Sequence, residues 1–171
     1  GDLAGEVYTK LGQNDYAAEL AQIRASGADS IFFFLPGGMG IAFMKQYAQS
    51  GITLPVVGPA FSFDQGILKA VGKAALGVKN TSQWSKDIQN DANRTFVAEF
   101  QKEYGRLPSL YASQGYDTGK LLISAMKKAS VKDMDSFRDA IRLADFSSTR
   151  GSFSFSKNHH PIQDIYVREV V

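Results

Sequence analysis

Ser30-Ile31-Phe32-Phe33-Phe34-Leu35-Pro36-Gly37-Gly38-Met39-Gly40 is the stretch from which the fold of this 171-residue chain is read. A short, continuous apolar run bounded by turn residues is the pattern of a strand buried on both faces of a parallel sheet. Ser30 to Leu35 is therefore predicted as a central strand. Pro36 to Gly40 breaks the run, and a helix follows with Ile41, Met44 and Ala48 on one side, stopping at Gly51.

Upstream, Glu6 to Thr9 reads as an extended segment, followed by the polar turn Gly12-Gln13-Asn14 and a helix opened by Asp15. Tyr16, Leu20 and Ile23 recur at the spacing of one helical face, and Gly27 closes the helix. Downstream, Pro55-Val56-Val57 reads as a strand ended by Gly58-Pro59. Asp64 caps a helix with Ile67, Leu68 and Val71 inward, and Leu76-Gly77-Val78 reads as a further strand. Strands alternating with helices predict an α/β fold, because each parallel strand needs a crossover to return to the same end of the sheet.

Beyond Val78 the pattern loosens into Asn80-Thr81-Ser82-Gln83-Trp84-Ser85-Lys86-Asp87, read as a crossing segment that holds the only tryptophan. Three helical patterns follow. They carry Phe96, Val97, Phe100 and Tyr104; then Leu121, Leu122, Ala125 and Met126; then Met134, Phe137 and Ile141. Ser152 to Ser156 alternates as a half-exposed strand, and Ile165 to Val171 forms a terminal β-branched strand. These helices have few strands to cover, which predicts either a tight partner, including a second copy of the chain, or strands of a parent not encoded here.

Bulk properties exclude several classes. With 44% hydrophobic and 12% aromatic residues the chain can bury a core. A net charge of +2, from 19 basic and 17 acidic side chains, supplies no polyelectrolyte patch, so nucleic acid is not an expected partner. The absence of cysteine removes disulfides, thiolate nucleophiles and thiolate zinc sites. The longest apolar run, Ile31 to Leu35, is far short of the ~20 residues that span a bilayer. The chain opens Gly1-Asp2-Leu3 with neither an initiator Met nor a basic-plus-apolar leader, so any signal peptide is expected to have been removed from it.

The search for catalytic chemistry finds no constellation. Gly37-Gly38-Met39-Gly40 lacks the dinucleotide spacing and no Walker lysine follows. Two readings of it stand open: a tight strand-to-helix turn, or ligand contact at a helix N-terminus, where an anion is favoured. No G-x-S-x-G pentapeptide occurs. His159 and His160, adjacent ahead of Pro161, read as a loop pair, so no metal or cofactor is expected. Asp15, Asp64 and Asp117 sit where helix caps are expected. Trp84 keeps two readings, pocket lining and hinge packing, since tryptophan serves both.

Taken in order, Asp15 to Ile23, Gly27-Ala28-Asp29-Ser30-Ile31-Phe32, Phe43-Met44-Lys45-Gln46-Tyr47 with Gly51-Ile52, Tyr104-Gly105, Pro108 and Tyr116-Asp117 resemble the Leu/Ile/Val-type extracellular solute receptors. These are type I periplasmic binding proteins of ABC importers, and the likeness spans essentially the whole chain. It implies two Rossmann-like parallel-sheet lobes joined by a hinge, with the N-terminal part of the usual chain missing. Residues 1–82 and 164–171 correspond to the second lobe, and 83–163 to part of the first. Ser82, Gln83 and Ile165 then fall at the hinge.

The resemblance also implies a function. Family members hold a solute in the interlobe cleft and signal to permease subunits, are not enzymes, and work in the periplasm after export. The loop after the Ser30 to Leu35 strand contacts ligand, which here is Pro36, Gly37, Gly38 and Met39. Amino-acid binders place an acidic residue just after a Gly-Pro turn to grip the ammonium. The matching residue here is Ala60, and a buried ammonium without a charged partner costs several kcal/mol. An aromatic carboxylate is the expected ligand instead, with Tyr111 matching a first-lobe aromatic position and Phe61, Phe63 and Trp84 as candidate ring surfaces. Asn158-His159-His160-Pro161 to Val170 resembles the subgroup for aromatic compounds. The alternatives are a branched-chain amino acid receptor, a sensory or regulatory domain of the same fold, and a doubly wound enzyme completed by residues outside this chain.

Overall fold

The computed structural model describes residues 1–171. The chain forms two compact units, one of residues Gly1–Thr81 and Val167–Val171, the other of Ser82–Tyr166. In the first unit α1 (Ala17–Ala25), β1 (Ile31–Phe32), α2 (Gly38–Gln49), β2 (Val56–Pro59), a 3-10 turn (Ala60–Phe63), α3 (Gln65–Val71), a second 3-10 turn (Gly72–Ala75) and β3 (Lys79–Ser82) follow one another. Their strands pair in parallel, Ile31 opposite Val56 and Val57 opposite Lys79.

Residues from these elements gather into one core. Tyr16 and Leu20 of the first helical face are buried, as the spacing predicts, with Phe33, Phe43 and Phe63 beside them. Phe33 meets Phe43 at 5.0 Å and Phe63 at 5.7 Å between ring centroids. Gly58 leaves the room for this: a Cβ there would lie 2.8 Å from Phe63 Cε2 and 2.9 Å from Phe33 Cε1.

The deciding stretch behaves differently from its reading. Ile31, Phe33 and Leu35 are buried while Phe32 and Phe34 are 70% and 65% exposed, so one face of the strand is covered. The sheet order is β1-β2-β3-β6, which puts β1 at the edge instead of the centre. Composition records that a strand is apolar, and cannot record whether both neighbours are present. Glu6 to Thr9 forms no strand and is largely exposed, since no partner offers it a hydrogen-bond ladder. Leu76 and Gly77 form a turn, with Gly77 at φ 78°, and the strand begins three residues later than Leu76 at Lys79. Strand β6 (Tyr166–Glu169) neighbours β3. The Gly77 amide donates to Val170 O at 2.8 Å and the Val170 amide to Val78 O at 3.1 Å.

The second unit holds α4 (Asp91–Tyr104), α5 (Leu110–Lys128), α6 (Met134–Arg142) and an antiparallel hairpin of β4 (Phe153–Phe155) and β5 (Pro161–Gln163). The helix ends follow local chemistry: Asn90, Ser109 and Asp133 accept from the backbone amides of Asn93, Ala112 and Ser136, and Gly105 ends α4 in the left-handed conformation. Ala125, Phe137 and Ala140 pack α5 on α6. Of the residues in the second helical pattern, Leu122 and Met126 are 37% and 55% exposed, while Ala125 is buried. Asp117, predicted as a cap, lies inside α5 and is buried, because α5 starts at Leu110.

Candidate functional site

The strand-to-helix loop of the first unit is built on Gly37. It caps α2 with φ 51° and ψ −125°, a conformation open to glycine. Pro36, Gly37 and Gly38 are exposed at the N-terminus of a 12-residue helix, where amides and the helix dipole favour an anion. Gly40, one turn further, is fixed by contact: a Cβ there would lie 2.8 Å from Leu35 O. Ser62 Oγ donates to the same carbonyl at 2.9 Å, tying the end of the strand to the Ala60–Phe63 turn.

Pro36, Gly38 and Met39 border a cavity of about 420 Å³ with Leu11, Gly12, Gln13 and Asn14. Met39 contributes from the core side: it is 8% exposed, and its sulfur accepts from the Gly12 amide at 3.3 Å. A ring wall stands nearby in the sequence. Phe34 meets Phe61 edge to face, with centroids 5.0 Å apart at 88°. Phe34 is largely exposed and Phe61 half-buried. Phe63, predicted as a ring surface, is instead 2% exposed and belongs to the core.

Ala60, at the start of the Ala60–Phe63 turn, is half-buried. Its carbonyl accepts from Arg168 Nη2 at 3.3 Å, and Arg168 also donates through Nε and Nη2 to Asn80 Oδ1 at 2.9 and 2.6 Å. Burial pulls the Arg168 guanidinium below its ordinary pKa and the Asp64 carboxylate opposes that pull, so the group stays cationic. Asp64 caps α3, accepting from the Gly66 amide at 3.2 Å.

The remaining predicted residues belong to the second unit. Trp84 is 1% exposed; its indole N–H donates to Asn93 Oδ1 at 2.7 Å and its ring packs on Phe96. It presents no face to a ligand, and packing is the reading its burial supports. Tyr111, in the first turn of α5, is 59% exposed. Ser82 is buried and accepts through Oγ from the Trp84 amide at 3.2 Å, Gln83 is half-buried, and Ile165 is 62% exposed. All three are at or near the points where the chain leaves one unit for the other. His159 and His160 occupy the exposed turn of the β4–β5 hairpin, His159 at φ 66°.

Phe34 and Arg168 escaped the sequence reading. The alternation inside Ile31 to Leu35 is masked by its all-apolar composition, and Arg168 reaches Asn80 across 88 residues. A basic residue in a terminal strand rich in β-branched residues was the available signal.

Comparison with known proteins bears on what such a wall serves. The model of the periplasmic binding protein family matches residues 1–171. A Leu/Ile/Val-binding protein homolog 6 from Brucella melitensis biotype 1 is 31% identical, over 99% of this chain and 46% of its own length. A solute-binding protein of an ABC transporter from R. palustris, crystallised with benzoate, superposes with TM-score 0.88 at 32% identity, over 94% of this chain and 45% of its own. Another, from Rhodopseudomonas palustris BisB5 with 3,4-dihydroxybenzoic acid, gives 0.80 at 34% identity, over 92% of this chain and 45% of its own. The chain thus spans about half the length of the relatives it matches.

Proposed function

Because this chain belongs to the periplasmic binding protein family, we propose that it is part of a non-enzymatic solute receptor of an ABC importer, and that its solute is a small aromatic carboxylate. The observation that carries the reading is the wall of the first unit, where the Phe34–Phe61 pair stands with an uncharged Ala60 in place of an ammonium anchor. An exposed ring in an edge-to-face pair offers its face to another ring, and such contacts add about 0.5–1.5 kcal/mol beyond burial alone. The Pro36-Gly37-Gly38 loop at the α2 N-terminus supplies amides suited to the carboxylate. Two similar solute-binding proteins crystallised with benzoate and with 3,4-dihydroxybenzoic acid support the same ligand class.

In this reading the partners are the permease subunits of the importer and the compartment is the periplasm. A branched-chain amino acid receptor is the competing reading, favoured by the name of the Brucella relative. Ala60 weighs against it, since a desolvated ammonium needs a charged or hydrogen-bonding partner. Calorimetry on the full-length protein with benzoate, 3,4-dihydroxybenzoate, leucine and isoleucine tests the choice. Binding of the aromatic acids with no measurable turnover is expected; tight binding of leucine with none of benzoate overturns the proposal.

A further inference from the structure

We infer that Arg168 is a positioning residue that sets the Ala60–Phe63 turn, and through it the Phe61 ring, from the strand by which the chain re-enters the first unit. The inference rests on the aromatic wall proposed above, and its basis is the reach of one side chain. Arg168 stands in β6, just after the Tyr166/Val167 crossing, and Asn80 stands in β3, just before the Thr81/Ser82 crossing. Two guanidinium nitrogens converge on Asn80 Oδ1, and one of them also reaches Ala60 O. Both strands that carry the chain across are therefore tied to the turn that bears Phe61.

The geometry suits a rigid link. Asn80 is 2% exposed, so its amide is held in place by its surroundings. The guanidinium is planar and presents its donors in a fixed fork, so a shift of β6 relative to β3 cannot be absorbed by a flexible stem alone. The turn at the other end has little slack. Ser62 is fully buried and bonded to Leu35 O, and Phe63 is locked into the core. Phe61, flanked by Ala60 and Ser62, meets Phe34 through its ring. A displacement at the crossing strands is thus delivered to the ring pair at the wall. A lysine at position 168 would keep the charge and lose the fork.

The test uses the full-length protein, with benzoate as probe in calorimetry and stopped-flow binding and thermal unfolding measured alongside. R168M and N80A are each expected to weaken benzoate tenfold or more through faster dissociation, well below the unfolding temperature. The double variant R168M/N80A should be no weaker than the worse single one, because both cut one link. A structural role alone would lower the unfolding temperature and leave the affinity of the folded protein unchanged, and that result overturns the inference. If R168M does not fold, R168K decides: wild-type benzoate affinity overturns the fork, and a loss of several-fold supports it. F61A separates the two layers. If F61A leaves benzoate binding intact, the proposed wall itself fails; if F61A weakens binding while R168M and N80A do not, only the role of Arg168 fails.

Discussion

Arg150 Nε donates to Asp117 Oδ2 at 2.9 Å in the interior of the second unit, the two side chains being 11% and 1% exposed. Asp117 also accepts from Ser148 Oγ and from the Thr149 amide, and Arg150 continues to Gln163 Oε1, so the ion pair joins α5 to the Ser148–Gly151 turn and the hairpin. Removing one partner leaves a buried charge uncompensated. D117A is expected to destabilise this unit by about 3–5 kcal/mol, checked by urea denaturation followed by circular dichroism.

Gly58→Ala forces a methyl into the space between Phe33 and Phe63. Two rings in a packed core must both move, and overpacking of this kind costs about 1–3 kcal/mol. The expected outcome is a lower unfolding temperature in calorimetry, and an unchanged one would show that the rings are free to adjust.

Ala60→Glu places a carboxylate at the position where the family resemblance expects one in amino-acid receptors. On the proposed function it repels an aromatic carboxylate and offers an ammonium its partner, so specificity shifts by attraction and repulsion together. Benzoate affinity should fall at least tenfold and leucine binding should rise, as read by calorimetry on the full-length protein.

Trp84→Phe removes the donor that Asn93 Oδ1 receives, while Asn93 Nδ2 goes on holding the Ser85, Lys86 and Ile88 carbonyls. A buried acceptor left without its donor costs about 1–3 kcal/mol. Stability should drop by that order and ligand affinity should not change. A loss of affinity with stability intact would return Trp84 to the binding surface.

Mild acid should loosen the second unit at α6. Asp133 is held below the ordinary aspartate value of 3.8 by the Ser136 hydroxyl and amide, and Asp145 by its hydrogen bond and ion pair with Lys128. A carboxylate whose folded pKa is depressed stabilises the fold fully above its unfolded value and loses that contribution as pH falls through the folded one. Amide protection in α6 measured by hydrogen exchange should therefore decline below about pH 4, and D133A should flatten that decline.

Much of this architecture is legible in the residues because it is periodic or punctuated. The Tyr16, Leu20, Ile23 face of α1, the three helices between Asp91 and Arg142, and the exposed glycine loop at the head of α2 all follow from spacing and from proline and glycine chemistry. What escaped depends on neighbours. Nothing in Ile31 to Leu35 reveals that Phe32 and Phe34 face outward, since burial there is decided by what covers the sheet. Asp117 followed a local capping rule although its partners lie more than 30 residues away, at Ser148 to Arg150. Of the candidate wall, Phe61 was legible beside Ala60, whereas Phe34 and Arg168 required the fold.

The sole indole of this 171-residue chain is enclosed within residues 82–166, and its other unit contains none. In this chain, emission excited at long ultraviolet wavelength therefore reports one unit and is blind to the other. A denaturation curve followed by that emission tracks the half built on α4 to α6, while peptide absorption averages both. Divergence between the two curves would reveal halves that melt separately, in a chain carrying its own built-in label.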